Sequence, residues 1–600
     1  MGELLSRRNI EFLLYEVLDS ESLLARPRYL EHSRETFDSV LDLVRTVAEN
    51  DFAPHYQKGD ANEPTFDGSR VHMIPETRNA WNALRNTGFL KAHCDLEEGG
   101  LQLPEVVLRA SMAYLMAANG PTASYPFLTL GVINLLRVFG SEKQKQLYLP
   151  RLLEGEFAGT MALTEPGQGS ALADIKTRAE TQADGTFRIF GQKMFISAGD
   201  HDLTENIVHM VLAKVKGAPA GVKGISLFLV PKFLVNDDGS LGARNDVVLA
   251  GLLHKMGWRN TTSTVLNFGE AGGAVGYLVG GPGQGLACMF RMMNEARIGV
   301  GLFSAAYAAR GFQHALDYAR QRPQGRLPSC KLANSPQVKL VEHADVRRML
   351  LAQKAYAEGA LALCLYASAL FEDEQTLPDA AARQHARILL SLLTPVVKSW
   401  PARYGCVANE LAIQVFGGAG YIRDYPVEQL YRDQRLNPIH EGAEGIHGLD
   451  LLSRKVRLER GAGLEYLAAE VCASVAAAGT LPELAGLATQ LAEHFELLAD
   501  TTADLLAAAE SEIDLALANA SVYLDVFGRV VVSWLWLKQA TVAAERMRHD
   551  DLADSNGSFY RGKLQAARWY FTWELPQIVP ACRLLRTLDP LPYDMQDAWF

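Results

Sequence analysis

The sequence predicts an α+β protein in which one β-rich segment is set between helical ones, and three observations carry that prediction. Residues 1–157 repeat apolar side chains at three- and four-residue spacing. Residues 158–285 break instead into short β-branched and aromatic runs separated by Gly, Asp and Asn turns. From 286 to 600 long helical periods return, rich in Ala and Leu.

Taken in order, the first segment opens with Met-Gly-Glu-Leu-Leu-Ser, and Glu11 and Glu16 fall inside its apolar stretch with no small-residue cleavage site after it. An amphipathic helix fits that pattern better than a signal peptide. Met1-Gly2 with Ser6 matches the loose myristoylation pattern, which recurs by chance. Phe37, Val40, Leu41, Leu43, Val44 and Val47 trace a helical face, and Gly59–Gly68 and Glu97–Gly100 read as polar loops. Strands are expected over Thr186–Ile189, Ile207–Leu212, Ile225–Val230 and Thr264–Phe268. A close-packed helical bundle is expected over 286–460, with one helix across Val338–Leu370, and a further helical domain over 461–600. No repeat of solenoid period interrupts this order.

Charge and composition exclude several functions. Against 69 Asp+Glu stand 58 Lys+Arg, a net −11, so no whole-chain basic field attracts a phosphate backbone and nucleic acid is not an expected partner. The most apolar run, Val530–Leu537, is far shorter than the roughly 20 residues a membrane span needs, so no span is expected. Seven scattered cysteines without C-x-x-C spacing suggest free thiols in a reducing, cytoplasmic compartment, without zinc or a disulfide framework.

Three segments could carry chemistry. Met161-Ala-Leu-Thr-Glu-Pro-Gly-Gln-Gly-Ser170 follows an expected strand, and its glycines would let backbone N–H groups approach a flat or anionic ligand; a plain Gly turn is the alternative. Lys193-Met-Phe-Ile-Ser-Ala-Gly199 follows as a strand. Gly280–Gly285 has the wrong spacing for a dinucleotide fingerprint, which excludes a Rossmann domain. Gln414-Val-Phe-Gly-Gly-Ala-Gly-Tyr421 reads in isolation as a helix C-cap. In Ile439-His-Glu-Gly-Ala-Glu-Gly-Ile-His447 the spacing is H-E-x-x-E-x-x-H, and Gly442 and Gly445 would unwind the helix that metal ligands require, so no metal is expected.

Read together, these segments resemble the acyl-CoA dehydrogenase family, whose ordered patterns T-E-P-x-x-G-S, Lys-x-x-Ile-[ST], F-G-G-x-G-Y, P-V-E-x-x-Y-R-D and a glutamate followed by glycine run through residues 35–458. Gly199–Asn206, Gly224–Lys232, His254–Gly257 and Met293–Gly299 look like signatures of its long bacterial branch, which includes 3-methylmercaptopropionyl-CoA dehydrogenases. The resemblance implies an N-terminal helical domain, a middle β-barrel-like domain, a C-terminal four-helix bundle and an additional C-terminal helical domain. It also implies FAD between the β-domain and the helices, with a second subunit completing the site. By positional match Met161, Leu163, Thr164, Gly169, Ser170, Phe195, Ile196 and Ser197 would line the flavin. Arg322 would meet the pyrophosphate of the neighbouring subunit's FAD, Gln414 and Gly418 would reach across the same interface, and Gln324 and Ala443 would lie by the cofactor. Ser170, Asn294, Arg297 and Gly442 would contact substrate.

The same resemblance makes Glu441 the base that removes the α-proton of an acyl-CoA while the β-hydride goes to flavin N5; the alternative base position found in some relatives is here Ala296. It implies desaturation of a medium-to-long fatty acyl-CoA to trans-2-enoyl-CoA, electrons passed to an electron-transfer flavoprotein, and a homo-oligomer, a dimer being favoured. Rival readings are an acyl-CoA oxidase, a 3-methylmercaptopropionyl-CoA dehydrogenase, and a flavin-binding regulatory protein, which the presence of Glu441 and the net charge disfavour. Departures from the family pattern are Ala171 for aspartate, His440 for tyrosine, Ala443 for threonine and Gln324 for an aromatic; His440 beside the base could tune its pH range, a surface or packing histidine being the alternative.

Overall fold

The computed structural model describes residues 3–330, 332, 334–549 and 554–600, so the Met1-Gly2 pattern lies outside the described residues. The chain forms two compact units, one of Glu35–Leu103 and Tyr114–Ala296, the other of Met1–Arg34, Pro104–Ala113 and Arg297–Phe600.

The first unit is built on an eight-stranded sheet. In chain order the unit's strands are β1 (Thr65–Phe66), β2 (Val71–His72), β3 (Phe157–Ala162), β4 (Arg178–Thr181), β5 (Phe187–Ser197), β6 (Asn206–Val215), β7 (Ile225–Pro231), β8 (Phe233–Val235), β9 (Leu241–Arg244), β10 (Val247–Leu252), β11 (Ser263–Phe268) and β12 (Ala274–Val279), of which β1–β2 and β8–β9 pair separately and the other eight form the sheet. β4 pairs with both β5 and β6, which closes β5, β12, β7, β6 and β4 into a ring. Closure removes exposed strand edges, and the ring encloses Ala179, Ile189, Val211, Phe228 and Val230. The far half of β5 leaves the ring to pair with β11, and β3 extends the sheet beside β6. β5 turns this corner at Gly191, where φ is +149° and a Cβ would lie 2.5 Å from Thr177 Oγ1. β6 is buried on both faces from Asn206 to Ala213, hence its nearly unbroken apolar run.

β1 lies inside the stretch Gly59–Gly68 expected to be a polar loop and pairs with β2 just beyond it as a hairpin. Asp67 Oδ1 accepts from the Ser69 and Arg70 N–H groups at 2.8 Å, an Asx turn that sets the register of strands too short to show alternation. Two of the family-branch signatures prove structural here. Lys232 Nζ pairs with Asp200 at 2.6 Å, and the Asn206 amide side chain donates to the Phe233 carbonyl at 2.8 Å and accepts from its N–H at 2.9 Å.

Three long helices, Gly285–Gln321, Ala344–Thr376 and Ala380–Phe416, supply the frame of the second unit, the first of them from Arg297 onward. The second starts six residues later than the Val338 expected, because Leu340–Glu342 forms a separate 3₁₀ turn. Gly301 lets the first and third approach closely: a Cβ there would fall 2.2 Å from the Val397 carbonyl oxygen.

Residues beyond 461 form helices Ala462–Gly479, Ala485–Ala508, Ala520–His549, Asp554–Trp573 and Ile578–Arg586. They are welded to the bundle by aromatic packing. Trp400 stacks on Tyr404 at 4.6 Å, Tyr356 meets Trp569 edge-on at 5.7 Å, and Trp536 Nε1 donates to the Ala355 carbonyl at 3.2 Å. Around this cluster the Tyr356 and Tyr404 hydroxyls donate to Glu574 and Asp525 at 2.6 and 2.8 Å. The N-terminal helix Arg7–Glu11, continued by the π turn Phe12–Val17, is held by Lys563, which donates to Asn9 Oδ1 at 2.5 Å and pairs with Glu358 at 2.8 Å.

Against the expectation from Val530–Leu537 alone, helices Glu105–Phe139 and Ala520–Arg548 are long and apolar enough to cross a membrane by length and composition. In this fold 61% and 83% of their apolar windows are buried within the protein. Because the Gly301 contact is backbone against backbone, Gly301→Ala is expected to force the two helices apart. A loss of about 1–3 kcal/mol, read as a lower urea midpoint, is the predicted outcome.

Candidate active site

The chemistry-bearing residues of the first unit gather where β3 ends. Glu165-Pro-Gly-Gln168 closes a turn through reciprocal backbone bonds of 3.0 and 2.9 Å, with Pro166 second and Gly167, at φ +81°, third. The Glu165 carboxylate is buried and turns inward, accepting from the N–H groups of Lys176 (2.6 Å) and Thr177 (3.0 Å), the Thr177 hydroxyl (2.5 Å) and Lys193 Nζ (2.9 Å). Lys193 Nζ also donates to the Leu163 carbonyl at 2.8 Å, and Met194 N–H to the Thr164 carbonyl at 2.9 Å. Burial pulls the Lys193 ammonium down to about 8 while Glu165 holds it up; burial raises the Glu165 carboxyl, but Lys193 and the hydrogen bonds carry it below its usual value. The pair therefore ties the loop 163–170 to β5.

That attachment brings Met161, Leu163 and Thr164, half-buried, together with Phe195, Ile196 and Ser197. Phe195 sits at φ +60° beside a register shift between β5 and β11 and is 63% exposed, an apolar ring held outward in a conformation that L residues rarely adopt. Gly169 and Ser170 are exposed, and nothing lies within 4 Å of a Cβ built at Gly169. No internal contact requires a glycine at 169, and the open space suits close approach by a flat ligand.

Glu441 belongs to the second unit. It is held at φ +53° with Gly442 next at +99°, so the chain makes a left-handed turn between helices Val427–Gln434 and Glu444–Leu449. A Cβ on Gly442 would lie 2.7 Å from His447 Nε2, so glycine is required there twice over. His447 Nε2 donates to the Glu441 carbonyl at 3.1 Å and Lys398 Nζ to the Gly442 carbonyl at 2.6 Å. Burial raises the Glu441 carboxyl above its usual range, opposed by Arg297 and Lys398. Arg297, itself buried, pairs with Asp450 at 3.3 Å. The Glu441 backbone N–H donates to no group among the described residues. A carboxylate, a free N–H donor and two cations thus converge on one turn.

Burial, reinforced by Lys398, lowers His440 to about 3, and its Nε2 donates to Asn437 Oδ1 at 3.1 Å. Burial thus favours the neutral imidazole, and the hydrogen bond to Asn437 fits the packing role weighed for it beside pH tuning. Among the described residues no group of three His, Cys, Asp or Glu side chains could hold a metal, and all seven cysteines are free.

Asn294 lies one turn before Arg297 on the same helix. Ala443 caps helix Glu444–Leu449 with no side-chain bond, and Ala171 likewise precedes the 3₁₀ turn Leu172–Asp174 without one. Arg322, Gln324, Gln414 and Gly418 gather elsewhere, where Tyr318 stacks on Phe416 at 4.2 Å at the ends of two parallel helices. All four are exposed, and Arg322 has no ionic partner among the described residues. Sixteen residues of helix separate Gln414 from Lys398, about 24 Å, so one chain does not bring this group to its own Glu441.

Family models match the chain along almost its whole length: acyl-CoA dehydrogenase N-terminal domain over 34–156, middle domain over 160–270, C-terminal domain over 283–456, and acetyl-CoA dehydrogenase C-terminal like over 467–596. The chain is 34% identical to the broad-specificity linear acyl-CoA dehydrogenase of Mycobacterium tuberculosis, covering 99% of both proteins. It belongs to the acyl-CoA dehydrogenase family. Identity is also 34% with the 3-methylmercaptopropionyl-CoA dehydrogenase of Ruegeria pomeroyi, over 91% of this chain and 92% of that one. With a butyryl-CoA dehydrogenase of Syntrophomonas wolfei it is 31%, over 99% and 98%. The acyl-CoA dehydrogenase of Bacillus anthracis, solved in complex with FAD, shares the fold at TM-score 0.73 and 20% identity, over 96% of this chain and 94% of that one.

Sequence reasoning left four contributors without a role: Glu165 and Lys193, which moor the loop, and Lys398 and Asp450, which surround Glu441 and Arg297. Lys398 leaves a trace in the sequence, a single lysine at the end of the largely apolar run Ile388–Val397.

Two outcomes follow. Lys193→Met, which leaves Glu165 buried without its cation, is expected to cost about 3–5 kcal/mol in chemical unfolding, with most of the loss recovered on adding Glu165→Leu. Because the folded carboxyl of Glu441 is raised, its ionisation at neutral pH opposes folding. Glu441→Gln should therefore raise the melting temperature at pH 7–8, and the gain should vanish below about pH 4, where this carboxyl is protonated whether folded or unfolded.

Proposed function

We propose that the chain is an FAD-dependent dehydrogenase of linear acyl-CoA thioesters, with Glu441 as the base that takes the α-proton. The observation that carries this reading is the Glu441 turn, where the carboxyl of a half-buried residue, raised in its affinity for protons, stands beside a backbone N–H with no partner among the described residues. A carboxylate in such surroundings is a stronger base than one in water. The free N–H is placed to donate to a thioester oxygen as negative charge develops on it. Arg297, fixed by Asp450, and Lys398 favour the ionised form of Glu441 against the burial that disfavours it. Bound FAD supplies the acceptor at N5 for the β-hydride, so that proton and hydride together leave a trans-2-enoyl-CoA.

The residues of the first unit suit that cofactor: Phe195 offers an exposed ring, and Gly169 an uncrowded backbone. Arg322, Gln324, Gln414 and Gly418 are assigned to the pyrophosphate end of a second subunit's FAD. Their exposure, their distance from Glu441 along the helix and the exposed Tyr421 (87%) support a homo-oligomer, a dimer by preference. The reading extends to a medium-to-long fatty acyl chain, an electron-transfer flavoprotein as electron acceptor and a cytoplasmic setting, which the seven free cysteines suit.

Anaerobic addition of butyryl-, octanoyl-, palmitoyl- and 3-methylmercaptopropionyl-CoA to the purified flavoprotein tests this directly. Bleaching of the visible flavin bands is expected, fastest with the longer linear chains, and slower by about 10²–10⁴-fold in Glu441→Gln. Reoxidation by electron-transfer flavoprotein rather than by oxygen separates a dehydrogenase from an oxidase. Bound flavin that no acyl-CoA reduces would defeat the assignment.

A further inference from the structure

Lys398 has an unusual position for a lysine. It lies in helix Ala380–Phe416 after a largely apolar run and between Pro395 and Pro401, with its side chain fully buried. Its ammonium makes one hydrogen bond among the described residues, to the Gly442 carbonyl at 2.6 Å. A buried ammonium with a single neutral acceptor is strongly disfavoured unless an opposite charge stands close by. Of the charged and titratable groups around it, Arg297 is paired with Asp450 at 3.3 Å, and Glu444 with Arg403 at 2.8 Å. His440 and His447 are both neutral, each lowered to about 3 by burial first and then by neighbouring cations. Glu441 is the carboxylate left without an ion pair among the described residues, and it interacts electrostatically with Lys398.

We propose that Lys398 is the positioning residue of the base: its amine holds the Glu441–Gly442 turn through the Gly442 carbonyl, and its charge sets the pH at which Glu441 ionises. The inference rests on Glu441 being the base. Burial brings Lys398 itself down to about 7, Glu441 pulling it up and Arg297 pushing it further down, so the two groups act on each other's protonation. A positive charge favours the carboxylate, so its removal makes Glu441 hold its proton to higher pH.

The test compares wild type, Lys398→Met, Lys398→Gln and Lys398→Arg by two readouts. One is the pH dependence of anaerobic flavin reduction by acyl-CoA. The other is the infrared carboxyl band that disappears in Glu441→Gln, titrated in the FAD-loaded protein without substrate. In Lys398→Met the Glu441 midpoint is expected to rise by about one pH unit in both readouts, while Lys398→Arg stays near wild type. If the Met variant fails to fold, Lys398→Gln keeps a donor for Gly442 and removes only the charge, and it carries the same expectation. An unchanged midpoint in a folded neutral variant would overturn the proposal. Failure of every acyl-CoA to reduce the wild-type flavin would instead overturn the dehydrogenase reading, and the infrared titration would still decide whether Lys398 sets the ionisation of Glu441.

Discussion

The second unit depends, for its chemistry, on one strained turn. Glu441 and Gly442 both lie in the left-handed region, a conformation that costs about 1–3 kcal/mol at a non-glycine residue and persists only where its surroundings over-determine it. Those surroundings are identifiable. His447 and Lys398 hold the two successive carbonyls, and the close approach of two helices at Gly301 fixes Arg297 one turn away from the backbone that carries Lys398. The turn leaves the Glu441 N–H free, whereas a helical continuation would have spent that donor on a carbonyl four residues back.

Both units use a buried lysine as a fastener between a loop and a regular element, a strand in one and a helix in the other. Lys193 sits on a strand and grips a carboxylate together with a carbonyl; Lys398 sits on a helix and grips a carbonyl beside a carboxylate. The first pair is saturated with hydrogen bonds and serves placement alone. The second is left with a single hydrogen bond among the described residues, the feature on which its proposed coupling to Glu441 rests.

Much of this was legible in the residues. Gly442 breaks the helix next to Glu441 as its composition suggests, whereas Gly445 lies inside helix Glu444–Leu449, and the short β-branched runs locate β5, β6, β7 and β11. The order of segments alone carries the family resemblance. What escaped notice has physical reasons. Strands of two residues, as in β1 and β2, show no alternation. The outward Phe195 and the Glu441 conformation are backbone properties imposed by neighbours distant in sequence. A charged residue in an apolar run says only that something must compensate it; for Lys398 the compensation comes from a turn 44 residues away, and no local pattern reveals it.

The C-terminal helices have a consequence of a different kind. The aromatic face formed by Tyr356, Trp400 and Tyr404 is covered by Trp569 and its neighbours from the same chain. Had a separate polypeptide covered it, burial of that face would follow a binding curve and weaken on dilution. Joined through one backbone, the cover has an effective concentration set by chain connectivity, so the bundle that carries Glu441 remains capped however scarce the protein becomes.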